Sequence, residues 1–409
     1  MGKNEEVKGE EILKRIYLKI NNADGYSQEE KSEIVTNLRN LETSIKNEAA
    51  KISSESKHPT ITKEDLIKAI QKFIPSWEPA FYYREIKPMI NEGREYLIKT
   101  RRNRGWGTYS DWMQDANMKQ WYNEPPIRIW DTATAVIALL KVDEFEDSKV
   151  IKDSIDWLKT QVRNDDGGYP VFPKEYWKYF PSHYIFRSNV YETSYATIAL
   201  LEAGEEVDSP DIQKNRDFLL KAQHRIYKAW GSTPVGEMSV GATSSALMAL
   251  IKTGIDPKEE CIQSAVKWLK DNQQENGGWS DKWRGCPSII QLTKTYDAIC
   301  ALLAAGLNKK EETIQRGVRY LLTIQDFLGD ERGEWGLVWS QDLGSHDCNI
   351  ENTSTAITAL LKTGVNEDSL AIKSGIRYLM KTKNIERCWG KDTPRVIVCL
   401  KEYLDISRS

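Results

Sequence analysis

Trp268-Leu269, then Gln273, then Gly277-Gly278-Trp279: this stretch decides the fold, because it returns five more times. The aromatic–Leu pair recurs at Tyr96-Leu97, Trp157-Leu158, Phe218-Leu219, Tyr320-Leu321 and Tyr378-Leu379, at steps of 50 to 61 residues. A polar residue follows four or five positions later: Gln161, Gln223 and Gln325, with Arg101 and Lys383 in the end copies. A Gly/aromatic turn comes next: Gly105-Trp106-Gly107, Gly167-Gly168-Tyr169, Trp230-Gly231, Trp335-Gly336 and Trp389-Gly390. Self-similarity at such a period is the mark of a repeat architecture, in which one supersecondary unit is copied along the chain.

Each copy closes with a second, more apolar segment. Aligned on a shared Ala-Leu core, these segments place one threonine in all six: Thr132, Thr193, Thr243, Thr295, Thr353 and Thr393. A threonine opening an apolar run reads as a helix N-cap, its oxygen accepting an otherwise unpaired backbone N–H. Four of the segments stop at glycine (Gly204, Gly254, Gly306 and Gly364), as expected of a left-handed residue just past a helix end. The first segment of a copy is amphipathic, as in residues 151–158, and belongs outside. The second is nearly all apolar or small, as in residues 133–140, and belongs inside. Six inner and six outer helices predict an all-α fold, a closed (α/α)6 barrel over residues 81–409. An open solenoid of six pairs is the alternative.

Residues 1–80 lack the Gly/Trp turns and are rich in Lys, Glu, Ser and Asn. Three amphipathic helices are legible there, one of them opened by Ser27 with Glu30 at capping-box spacing. They predict a helical N-terminal region that either caps the barrel or serves as an interaction module for a protein partner. The formal charge of −3 gives no electrostatic case for nucleic acid. No run approaches the roughly 18 apolar residues of a membrane span. Residues 1–6 have no apolar signal region. Six cysteines without paired spacing fit free thiols in a reducing compartment. Together these predict a cytoplasmic protein, and no residue pattern calls for a cofactor.

The Gln…Gly-Gly-Trp turns and the Trp130-Asp131-Thr132-Ala133 start of the first inner helix resemble squalene–hopene cyclases and related class II terpene cyclases. That superfamily of α/α repeats also holds the protein prenyltransferase β subunits. The resemblance covers about residues 90–405 and implies one α/α barrel. It also implies an Asp-x-Asp-Asp motif directly before an inner-helix threonine, whose central carboxylic acid protonates an alkene or epoxide. Here the chain departs from the pattern. The matching stretch is Asn189-Val190-Tyr191-Glu192, which puts a phenol in the central place, and a phenol is far too weak an acid for that step. A second approximation is Asn349-Ile350-Glu351-Asn352. The prenyltransferase branch implies a Zn²⁺ site of Asp, Cys and His. His346-Asp347-Cys348 has those types, but consecutive side chains rarely converge on one tetrahedral metal, so no metal site is expected.

The candidate acids are therefore Glu192, Glu351 and Asp131. Asp131, Glu192, Lys294 and Asp392 each directly precede a shared threonine, which puts them at one level around a closed ring. Arg128, Arg187, Lys294 and Arg395 lie near the same level and can either hold an anionic ligand or pair with those acids. Trp130, Tyr191 and Tyr195 are candidate ligand-binding aromatics, within a chain rich in aromatic residues from Tyr169 to Tyr195. The resemblance implies a small apolar or amphiphilic ligand, isoprenoid-like. Three readings follow: a barrel that binds such a ligand without the family's proton donor, an isoprenoid cyclase using Glu192 or Glu351, or a carbohydrate-active (α/α)6 enzyme working with paired carboxylates.

Overall fold

A computed structural model describes residues 47, 50, 51, 53–55, 79–107, 126–142, 148–161, 164–179, 187–281, 291–325, 348–383 and 389–407. Apart from residues 47, 50, 51 and 53–55, which are helical, the helices expected within residues 1–78 lie outside that set, as do the Trp335-Gly336 turn and His346-Asp347. Residues 79–327, 331–367 and 371–409 belong to one compact unit. Among the described residues of the barrel, β pairing is confined to three isolated bridges.

The inner helices are α2 (Ile129–Lys141), α4 (Val190–Glu202), α6 (Val240–Lys252), α8 (Gln291–Ala304), α10 (Cys348–Lys362) and α12 (Thr393–Ile406). The outer helices alternate with them: α1 (Pro79–Thr100), α3 (Lys149–Thr160), α5 (Pro210–Ala222), α7 (Glu260–Asp271), α9 (Glu312–Thr323) and α11 (Leu370–Lys381). Each inner helix packs on the next, and α12 packs on both α2 and α1, so the ring is closed and the solenoid alternative is set aside. Inner helices are buried nearly all round: α6 buries every residue from Val240 to Leu247, then Ala249 and Leu250. Outer helices bury one stripe, as α9 does with Ile314, Gly317, Val318, Tyr320 and Leu321.

The shared threonines are not N-caps in α2, α4 and α6. The caps of those helices stand four residues earlier, at Arg128, Asn189 and Ser239. The threonines lie one turn inside and point outward. Thr132, Thr193, Thr243 and Thr295 accept the backbone N–H of Trp106, Tyr169, Trp230 and Trp279 at 2.9–3.0 Å. A Thr hydroxyl can also donate back to a carbonyl, as Thr193 does to Asn189 (2.8 Å). It can therefore pin a turn to a helix without giving up helical geometry, and that job explains its constant place. The helix ends follow the sequence reading. Gly204, Gly254, Gly306 and Gly364 all have φ near +90°, and their neighbours close 6→1 and 5→2 bonds, such as Glu205 N to Leu200 O and Gly204 N to Leu201 O.

The five described turn aromatics lock their copies to their own outer helices. Trp106, Trp230, Trp279 and Trp389 donate Nε1–H to the carbonyls of Leu97, Leu219, Leu269 and Leu379 at 2.7–2.8 Å, and Tyr169 does the same to Leu158 with its hydroxyl. The polar residue after the aromatic–Leu pair joins neighbouring copies in four cases, while Gln161 donates within its own copy to Trp157 O. Arg101 reaches Val150 O, Gln223 reaches Cys261 O, Gln273 reaches Thr313 O and Gln325 reaches Ala371 O, all at 2.8–2.9 Å. Lys383 of the last copy pairs with Glu92 of the first at 2.6 Å, closing the outer ring.

Candidate functional site

A helix turns about 100° per residue, so the outward direction of the shared threonine fixes all other directions. Residues two before and two after it face the centre of the ring. The one just before it faces the preceding inner helix. The central face therefore opens with Trp130, Tyr191, Gly241, Thr293 and Glu351; the corresponding Lys391 lies in the short 3-10 turn before α12 and is exposed. One turn deeper lie Thr134, Tyr195, Ser245, Asp297, Thr355 and Arg395.

Contacts across the ring bear this out. Lys294 of α8 reaches Tyr191 of α4, skipping the helix between them: its Nζ is 3.4 Å from the phenol oxygen and 5.3 Å from the ring centre. The skip is possible because α6 carries Gly241 at that level. A Cβ there would collide with both the Tyr191 hydroxyl and the Lys294 ammonium. Lys294 is also 3.4 Å from Asp297 and 3.8 Å from Asp281. Ser239 donates to Asp281 (2.9 Å) and lies 2.9 Å from the Tyr191 oxygen, so the phenol proton points to Ser239 while its oxygen accepts from Lys294. Burial pushes the Tyr191 phenol above its usual range against the pull of Lys294. Burial likewise raises the Asp297 carboxyl, with Lys294 and then Arg395 opposing.

On the other side of the centre, Arg395 pairs with Glu351 at 3.2 Å and lies 5.6 Å over the Trp130 ring. Trp130 meets Tyr195 edge to face, centroids 5.9 Å apart. Glu192, one residue before its threonine, faces sideways as that register demands. It accepts the Trp130 amide at 2.5 Å and lies 3.5 Å from Arg128, so it serves as a cap for the first turn of α2. Burial raises its carboxyl to about 7, with Arg128 opposing and Asp131 adding. Arg128 in turn stacks 5.5 Å over Phe172.

Among the sequence-predicted residues, the centre gathers Trp130, Tyr191, Tyr195, Lys294, Glu351 and Arg395. Glu192 and Arg128 meet at the α2–α4 seam, and Asp131 acts on both through its charge. Asp392 is buried as the N-cap of α12, and Arg187 is exposed before Asn189, outside both clusters. Arg128, Lys294 and Arg395 each stand beside a carboxylate, so pairing describes them better than an open anion site. The nearby aromatics divide. Tyr169 and Phe172 are fully buried packing, Tyr176 accepts the Ile127 amide, and Phe180, Tyr184 and Phe186 lie outside the described residues. Among the described residues no cluster of His, Cys, Asp and Glu is placed to hold a metal ion.

Four participants were not read from the sequence: Ser239, Gly241, Asp281 and Asp297. Asp297 was findable, because it sits two residues past a shared threonine. Asp281 caps α6 through Val240 N at 2.5 Å from two residues past the turn tryptophan Trp279, and the equivalent Ser232 caps α4 with its carbonyl.

The comparisons with known proteins agree with this architecture. The chain is 23% identical over 316 residues to the squalene–hopene cyclase of Zymomonas mobilis, covering 69% of this chain and 47% of that protein. It is 32% identical over 257 residues to the sporulenol synthase of Bacillus subtilis, covering 54% and 38%. The chain thus spans about half the length of the curated relatives it matches, or less. The type II terpene cyclase MstE from Scytonema shares the fold with a TM-score of 0.61 at 14% identity, covering 80% of this chain and 99% of that one. The family profile of the squalene-hopene cyclase C-terminal domain matches residues 113–235 and 227–336 in overlapping segments. Those segments span more than half of the chain, and the repeat register built from its threonines and turn tryptophans runs through both, so the chain belongs to the squalene-hopene cyclase C-terminal domain family.

Proposed function

We propose that the centre of the barrel binds an isoprenoid-like ligand and does not start cyclisation by the family's acid. The observation that carries this is Tyr191. It holds the central acid position, its proton is directed to Ser239, and the Lys294 ammonium sits against its oxygen. A phenol, whose pKa is ordinarily about 10 and here is raised further, cannot protonate an alkene. The aromatic faces of Trp130 and Tyr195 remain at the centre, and such faces suit an alkene-rich ligand. MstE, a barrel of the same fold, has been seen with geranylgeranyl dihydroxybenzoate as substrate and merosterolic acid A as product, which supports a central isoprenoid site.

Glu192 is what favours a second reading, an acid-initiated cyclase. Raised to about 7, it is about half protonated at neutral pH. Against that, both of its oxygens are engaged at the α2–α4 seam. Native mass spectrometry of the purified protein, followed by incubation with squalene, oxidosqualene and geranylgeranyl diphosphate, tests the proposal. Bound isoprenoid without cyclic product is expected. Cyclic product that disappears in Glu192→Gln/Glu351→Gln would establish the second reading instead.

A further inference from the structure

Below the two layers already described, the central face continues for two more. Five residues past the threonines lie Ile137, Ile198, Met248, Cys300, Thr358 and Val398. Nine past lie Lys141, Glu202, Lys252, Ala304, Lys362 and Glu402. The upper of these layers is apolar save for Thr358. The lower is a collar of alternating charge at the C-terminal ends of the inner helices. Glu202 bridges Lys141 (3.6 Å) and Lys252 (2.6 Å), and Glu402 pairs with Lys362 (2.6 Å). Ile137, Met248 and Val398 are partly exposed, although each follows a fully buried residue: Val136, Leu247 and Ile397. Partial exposure halfway along an inner helix, on its central side, marks open space beside α2, α6 and α12, while Ile198, Cys300 and Thr358 of the same layer are buried.

This apolar band is bounded above by Asp297, Arg395 and Tyr195 and below by the Lys/Glu collar. Three residues separate it from the layer above and four from the collar. At a rise of 1.5 Å per residue the band is about 10 Å tall. Its upper boundary is spanned by side chains, since Lys294 crosses to Tyr191 and Arg395 lies over Trp130. Apolar carbon pushed past either boundary would strip water from charges it cannot hydrogen-bond.

Resting on the reading that the centre takes an isoprenoid-like ligand, we infer that this site selects a short prenyl chain with one polar end and excludes hydrocarbons of squalene length. The chain fills the band, and the polar end lies among Arg395, Glu351, Lys294 and Tyr191, where donors and acceptors of both signs are available. Squalene extended is several times longer than the band and has no polar end for the mouth.

Equilibrium binding of geraniol, farnesol, geranylgeraniol and squalene to the full chain tests this. Affinity should peak at geraniol or farnesol and fall by at least about tenfold by squalene. Met248→Trp, which fills the band, should weaken the preferred alcohol by a similar factor. Met248→Ala should move the optimum to a longer chain, and this holds even where the tryptophan variant does not fold. Affinity that climbs steadily with length, squalene bound as tightly as farnesol, or an optimum unmoved in Met248→Ala would overturn the inference. Failure of all four prenyl compounds to bind would sink the isoprenoid reading beneath it instead.

Discussion

Two tryptophans separate the scaffold from the site. Trp279 has no exposed surface, donates Nε1–H to Leu269 O at 2.7 Å, and has its own amide held by Thr295 at 2.9 Å. Trp279→Ala removes a fully buried ring, which costs about 3–5 kcal/mol. It also leaves Leu269 O without that donor, adding about 1 kcal/mol. For a barrel of this size the melting temperature should fall by about 6–9 °C. Binding by the folded fraction should stay near normal, because the ring sits between the α7 end and the α8 threonine rather than at the centre. Trp130→Ala should behave in the opposite way. Trp130 is partly exposed, and its contacts are an edge-to-face partner and one cation, together about 1–3 kcal/mol. Its loss should lower the melting temperature modestly and abolish much of the ligand binding. Thermal melts monitored by circular dichroism, paired with binding of a prenyl alcohol, read both variants. A Trp279→Ala protein that melts within about 2 °C of wild type but no longer binds would refute the assignment of turn tryptophans to the scaffold.

Glu192 predicts a pH dependence. Its carboxyl is raised from 4.5 to about 7 by burial, so the folded state holds the proton more tightly and this group's contribution falls as pH rises through that window, by about 3 kcal/mol in all. Denaturant melts across the window should show that slope flattened in Glu192→Gln, and an equal slope in both proteins would count against a buried, perturbed Glu192. Gly241→Ala should cost about 1–3 kcal/mol, because the new Cβ meets the Tyr191 hydroxyl and the Lys294 ammonium. A variant as stable as wild type would mean that Lys294 does not cross α6 at this level.

What the sequence disclosed was the part of the structure that the repeat imposes six times. Turn tryptophans, polar stitching residues and inner-helix threonines all face outward or into the seams between copies. Their spacing therefore carries the ring, its closure and the inner–outer order. The threonine's role was misjudged because a cap and a turn staple both need a hydroxyl near a helix start. Only the position of Arg128, Asn189 and Ser239 four residues earlier separates the two. The central face was less legible. Lys294 was placed near the rim by register, but its reach to Tyr191 depends on the lack of a side chain at Gly241, two helices' worth of sequence away. Asp281 was hidden for a similar reason, since it acts on the helix of the preceding copy.

The same geometry leaves the chemistry of the central face independent of family membership. Every copy must present a threonine outward and an aromatic to its turn, or the ring does not close. Nothing in that requirement touches the residue two positions before the threonine, and the six copies fill it with Trp130, Tyr191, Gly241, Thr293, Glu351 and Lys391. An acid there is a choice the scaffold neither needs nor resists. Two of the six could donate a proton in principle. Tyr191 is a phenol held above its usual pKa, and Glu351 is paired with Arg395 at 3.2 Å. Glu192 keeps a proton near neutral pH, yet its register turns it sideways, onto the amide of Trp130 and away from the centre. Among the described residues the central face thus carries aromatic rings and paired charges, and the carboxyl at its upper level, Glu351, is held by Arg395. That arrangement of rings and paired charges is what the proposed binding of an isoprenoid-like chain rests on.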